Sequence, residues 1–360
     1  MLLLVAGCTS VHEGSEAQPP PQEWSLTNNA AQPAPAKKHP AARPAVKIIP
    51  VPAGHANPPP QNKIPPAPLL AWTSLDRWAK ENKLAAPQKI PNSPVACYAV
   101  SSPRGKMILE IGSREAVWNG VEINLGFAPE IIDDQVFVYG LDLQKNLEPL
   151  LLGEPLVFGT NRVIVIDPGH GGANVGTHSV LDGRLEKEFT LDWARRLKPL
   201  LETNGWEVFL TRTGDAYVTN SGRVVFAEAH HADVFISLHF NSAAPDQTAA
   251  GLETYCFTAT GMPSTVTRGY ADPWPEKLSS NDFDAQNLRL AVKLQGALVR
   301  ATGLDDRGVR HVRYIEVLRG QKRPAVLIEG GYLSNPKEAG KIESAEFREK
   351  LAEAVANALK

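Results

Sequence analysis

Val163-Ile164-Val165-Ile166-Asp167-Pro168-Gly169-His170-Gly171-Gly172 is the stretch on which the reading of this chain turns. Four consecutive β-branched apolar residues, with no polar alternation, belong to a strand covered on both faces. Pro168 and the glycines then end it in a loop that carries His170. Downstream, Phe189, Trp193, Leu197, Leu200 and Leu201 recur at helical spacing between Glu188 and Glu202, and Asn204-Gly205 supplies the stop. Strand and helix then alternate. Apolar runs at 206–210, 233–238, 251–257 and 325–328 are interleaved with helical patterns at 223–230, 284–302 and 345–359. Alternation of this kind predicts an α/β fold, a three-layer α/β/α domain with a largely parallel mixed sheet.

In open α/β sheets the loops beyond the carboxyl ends of the strands converge on one crevice. Three of the apolar runs end at residues able to do chemistry there: His170, His239 and Glu329, while Glu186 opens the long helix. Two imidazoles and one carboxylate can fill three zinc positions and leave the fourth to water, with a second carboxylate free to act as base. The chain has nine His, so on spacing alone a metal centre and a set of core histidines stay equally open. His178 in a Gly-Thr turn and His230-His231 at a helix end are read as solvated or carbonyl-capping residues. Arg212 and Arg223 either meet substrate carboxylates or pair with Asp215 or Glu228. Asn241 either orients a ligand or substrate or caps its strand.

Outside this region the composition changes. The 360 residues carry 37 Lys+Arg against 39 Asp+Glu, a net charge of -2 that offers nucleic acid no electrostatic footprint. No run approaches the ~18 apolar residues of a spanning helix. Fifteen of the 30 Pro fall between Gln18 and Leu70, and so proline-dense a segment predicts a disordered, extended linker over 18–70. Before it, in segment 1–17, Val5-Ala6-Gly7-Cys8 resembles a bacterial lipobox. That resemblance implies acylation of Cys8, and Thr9 in the next position points to an outer-membrane lipoprotein of the periplasmic envelope. After the linker, short apolar runs separated by Gly112-Ser113, Asn119-Gly120 and Asp133-Asp134 predict a small β-rich domain over 71–158. Ile111 to Gly120 and Ala128 to Val138 resemble a copper-amine-oxidase N-terminal-like stalk domain, a resemblance that implies no copper site. Cys97 and Cys256 read as buried and inert.

Four motifs in order, Val165-Ile166-Asp167-Pro168-Gly169-His170-Gly171-Gly172, Leu185-Glu186-Lys187-Glu188, Ser237-Leu238-His239-Phe240-Asn241 and Leu327 to Pro336, strongly resemble the zinc-dependent N-acetylmuramoyl-L-alanine amidases of the amidase-3 type. Thr211-Arg212-Thr213, Asp306 to Arg310 and Val317-Leu318-Arg319 fit the same pattern, which covers roughly Arg162 to the C-terminus and implies a zinc amidase catalytic domain over 159–360. The resemblance implies His170, Glu186 and His239 as ligands of Zn2+, Glu329 as catalytic acid/base, and peptidoglycan as substrate. It also implies a zinc-activated water that cleaves the amide between N-acetylmuramic acid and L-alanine during wall remodelling. Gly331 stands where the family often has Phe, and Phe240 where it often has Ala. A zinc metallopeptidase acting on the stem peptide and a non-catalytic wall-binding protein are the alternative readings. A protein activator is left open.

Overall fold

The computed structural model describes residues 72–159, 161–267, 272–273 and 275–360. Cys8 and the proline-rich stretch 18–70 lie outside the described residues. Strand β1 (Trp72–Ser74) runs into helix α1 (Leu75–Glu81), where Ser74 caps the first turn and Leu75, Trp78 and Ala79 are buried. An antiparallel meander follows: β2 (Gln88–Lys89), β3 (Cys97–Ser102), β4 (Gly105–Glu110), β5 (Glu115–Trp118) and β6 (Val121–Asn124). Asn119 and Gly120, at φ 48° and 83°, make the tight turn between β5 and β6 that the Asn-Gly pair predicts. Asp133 and Asp134 do the same between β7 (Glu130–Ile132) and β8 (Gln135–Tyr139), and β8 also pairs with β1. Helix α2 (Gly140–Asp142), a π-helical turn (Leu143–Leu147) and α3 (Glu148–Leu151) then bury Leu143, Leu147, Leu150 and Leu151.

The second part alternates as the sequence predicts: β9 (Val163–Pro168), α4 (Glu186–Thr203), β10 (Glu207–Leu210), α5 (Asn220–Ala229), β11 (Val234–Asn241) and β12 (Leu252–Phe257). Then come α6 (Asp284–Thr302), β13 (Asp306–Val312), α7 (Glu316–Arg319), β14 (Ala325–Tyr332), α8 (Pro336–Glu343) and α9 (Ala345–Ala358). Strands β10, β9, β11 and β14 are parallel neighbours; β12 is antiparallel to β14 and parallel to β13. Side chains of successive strand residues point to opposite faces. Ile164 and Ile166 therefore join Phe189, Trp193 and Leu197 of α4 and Leu351 and Val355 of α9 in one core. Val163 and Val165 join Phe235, Tyr255 and Leu327 in another, under Ala227 of α5 and Leu318 of α7. These are the three layers of a mixed α/β sheet.

The sheet does not stop at 158/159, where the change of texture suggests a boundary. β13 pairs in parallel with β6 through Val309 and Ile123, so the meander continues it into eleven strands ordered β10-β9-β11-β14-β12-β13-β6-β5-β4-β3-β2. Ile123 and Val309 are fully buried in the same core as α6. Among the described residues no helix is long and apolar enough to cross a membrane.

Candidate metal centre

Asp167, near the end of β9, is the buried root of the site. Its carboxylate accepts from Thr211 Oγ1 at 2.5 Å and Ser237 Oγ at 2.7 Å, and pairs with the Arg223 guanidinium. Burial opposes its ionisation, but Arg223 and the two hydroxyls hold its carboxyl below the ordinary range. Arg223 goes on to donate to the carbonyls of Pro168 at 3.0 Å and His170 at 2.7 Å. Arg212 donates to those of Pro168 at 3.0 Å, Gly169 at 2.8 Å and Lys187 at 2.8 Å, and burial followed by the charge of Arg223 presses its pKa down to about 10. These two arginines fix a turn in which His170 has φ 63°, a left-handed conformation that non-glycine residues seldom adopt.

Glu186 is the first residue of α4, where the helix N-terminus favours a carboxylate. Its Oε1 accepts from the Phe240 backbone N–H at 3.0 Å and lies 3.0 Å from Nδ1 of His239; its Oε2 accepts from Thr177 N–H at 3.0 Å and lies 3.0 Å from Nε2 of His170. Burial works against the charge, yet the two imidazoles hold the Glu186 carboxyl far below its usual range. Burial alone would depress His170, but Glu186 outweighs it and raises its pKa; at His239 burial prevails and lowers it. The two rings stand edge to face, centroids 4.7 Å apart. Nothing larger than hydrogen fits at two glycines here. A Cβ on Gly169 would stand 2.3 Å from Cε1 and 2.4 Å from Nε2 of His239, and one on Gly176, at φ 73°, would stand 2.5 Å from Glu186 Oε2 and 2.7 Å from His170 Cδ2.

The structure thus brings together three of the residues read from the sequence: His170, Glu186 and His239 each offer one ligand atom, all within 4.8 Å of one another. A cation fits this set on its own chemistry. Nε2 of His170 is buried and faces Glu186 Oε2 at 3.0 Å without a hydrogen bond of good geometry, so a cation seated between the two would satisfy both. Glu329 is fully buried on β14, in register with His239 of β11 on one side and Glu253 of β12 on the other. Glu253 accepts from Asn241 Nδ2 at 3.0 Å, Tyr255 Oη at 2.6 Å and Arg307 Nε at 2.8 Å. Asn241 is therefore tied to Glu253.

Arg223 pairs with Asp167, not with either partner the sequence suggested. Asp215 binds Lys187 and Glu228 binds Arg323 and Lys322. His230 bonds the Phe226 carbonyl at 2.8 Å and packs between Phe209 and Phe226, while His178 is exposed. Asp167, Thr211 and Ser237 have no role in the site as read from the sequence, although a polar residue inside or next to an apolar run, as at Asp167 and Ser237, was a usable signal.

Residues 164–360 match the model of the amidase-3 family, N-acetylmuramoyl-L-alanine amidase. A protein of Staphylococcus epidermidis named "Probable cell wall amidase LytH" is 34% identical over 277 residues, covering 76% of this chain and 80% of its own length. The N-acetylmuramoyl-L-alanine amidase AmiC of Escherichia coli O6:H1 is 28% identical over 61% of this chain and 58% of its own. The crystal structure of an N-acetylmuramoyl-L-alanine amidase from Clostridium difficile 630 aligns at 31% identity and a TM-score of 0.47, over 56% of this chain and 96% of that one. By the family match and the staphylococcal relative, this chain belongs to the amidase-3 family of N-acetylmuramoyl-L-alanine amidases.

Proposed function

We propose that this chain is a zinc-dependent hydrolase of the cell envelope that cleaves the amide between N-acetylmuramic acid and the L-alanine of the stem peptide, so that glycan and peptide separate. The observation that carries this is the convergence of His170, Glu186 and His239 on one point, with Glu329 beside His239 in the sheet. His170, Glu186 and His239 would hold the zinc, which when bound would supply Lewis-acid chemistry, lowering the pKa of a water and polarising the scissile carbonyl. Glu329 accepts the proton of the attacking water and returns it to the departing L-alanine amine. Asp167, Arg212 and Arg223 keep the His170 turn from drifting while the amide is cut, because a small misplacement of reacting groups costs rate steeply. Residues 71–158 act as a stalk-like wing carried on the same sheet.

The lipobox-like residues 5–8 and the proline-rich spacer support a lipid anchor through Cys8, with the hydrolase held at the outer membrane and reaching the wall. Digestion of purified peptidoglycan by the full chain, untreated, chelated and zinc-repleted, with mass analysis of the products, tests the activity. Free stem peptides beginning with L-alanine, lost on chelation and regained with zinc, are expected. Cleavage within the stem would favour a metallopeptidase, and turnover that survives verified metal removal would sink the mechanism.

A further inference from the structure

We propose that Asn174 is the positioning residue of His170: its side-chain oxygen accepts a hydrogen bond from Nδ1–H of the imidazole, which keeps the proton on Nδ1 and so leaves Nε2 as the nitrogen that coordinates. The inference rests on reading His170 as a metal ligand. Nδ1 of His170 lies 2.9 Å from Oδ1 of Asn174. The same oxygen accepts from the Gly176 backbone N–H at 3.3 Å, so the oxygen and not the amide nitrogen faces the ring. An amide oxygen has no proton to give; the hydrogen on that contact belongs to Nδ1, and the tautomer is set. The other ring nitrogen, Nε2, is buried and faces Glu186 Oε2 at 3.0 Å without a hydrogen bond of good geometry.

Asn174 is itself held in place. Its backbone exchanges two hydrogen bonds with Gly171, at 2.8 and 3.1 Å, closing the loop next to the left-handed His170. Histidine ligands are commonly oriented by a carboxylate on their far nitrogen. Here the acceptor is neutral, which orients the ring without adding a second negative charge beside Glu186. This fits a centre in which Glu186 already brings a full carboxylate to the ligand set.

The test compares the full wild-type chain with Asn174→Ala and Asn174→Asp. Zinc affinity is measured by competition with a chromogenic chelator, and the His170 tautomer by nitrogen NMR of the metal-free protein at pH 8. The alanine variant is expected to bind zinc about 10- to 100-fold more weakly and to lose the dominance of the Nδ1–H form, while the aspartate variant, which keeps the acceptor, stays within a few-fold of wild type. Zinc uptake unchanged by Asn174→Ala would overturn this inference alone; a wild-type chain that takes up no zinc would overturn the metal reading as well. The wild-type tautomer needs no variant to be read, and a dominant Nε2–H form there would also overturn it.

Discussion

Glu329 and Gly176 are the two residues at which the centre is most open to a decisive substitution. Glu329→Gln keeps size and shape but removes the carboxylate proposed as proton acceptor. Hydrolysis is expected to fall by about 10²- to 10⁴-fold with zinc content unchanged; a variant that keeps full turnover would remove Glu329 from the reaction. Gly176→Ala adds a methyl group against both Glu186 and His170 at a left-handed backbone position. It is expected to lose bound zinc and to lower stability by roughly 1–2 kcal/mol, read by metal analysis and thermal melting. His170, Glu186, His239 and Glu329 stood out because each sits at the end of an apolar run or the start of a helix, but position alone left a metal centre and core histidines equally open, and only the family resemblance implied their roles. The Asp167–Arg223 pair was not, because its partners are 56 positions apart and nothing local in either segment announces the other.

Among the elements, the seam between β6 and β13 carries the most weight. Ile123 and Val309 meet across it with no exposed surface. Side-chain and backbone bonds flank them: Glu122 N–H to Asp306 Oδ2 at 2.9 Å, and Arg310 Nη1 to Asn124 Oδ1 at 3.0 Å. Ile123→Ala should therefore lower stability by about 2–5 kcal/mol and shift one cooperative melting transition for the described region; two separate transitions, with only the first moved, would argue that the meander melts alone. The elements themselves were largely readable, since α4 follows a clean helical period and the Asn119-Gly120 turn has a conformational preference of its own. Strand β13 was not read as a strand. Asp306-Arg307-Gly308 opens it without apolar alternation, and its partner β6 lies far back in the chain, so pairing rather than propensity makes it a strand.

For the molecule as a whole, two buried groups give opposing responses to pH. Burial lifts Asp142, which accepts from Gly126 and Phe127 N–H, to about 6. Over the range from 3.8 to about 6 the folded chain keeps a proton that the unfolded chain has released, so Asp142 makes stability fall as pH rises. Burial lowers His311, followed by the charge of Arg114, to about 4. Between 6.5 and about 4 the unfolded chain takes up a proton that the folded chain refuses, so His311 makes stability fall as pH drops. The two slopes oppose each other in the native chain. Melting temperatures from pH 4.5 to 7 should drop more steeply toward acid in Asp142→Asn and less steeply in His311→Gln; parallel curves would show that neither group titrates as argued.

The left-handed backbone at His170 reaches further than local geometry. An unfolded or half-formed chain spends its time in extended and right-handed states, and the contact that holds this turn comes from Arg223, 53 positions later. The geometry of this turn therefore arrives only when distant parts of the chain have closed on one another. A nascent or half-folded copy in which Arg223 has not yet reached this turn lacks the contact that holds His170 in place.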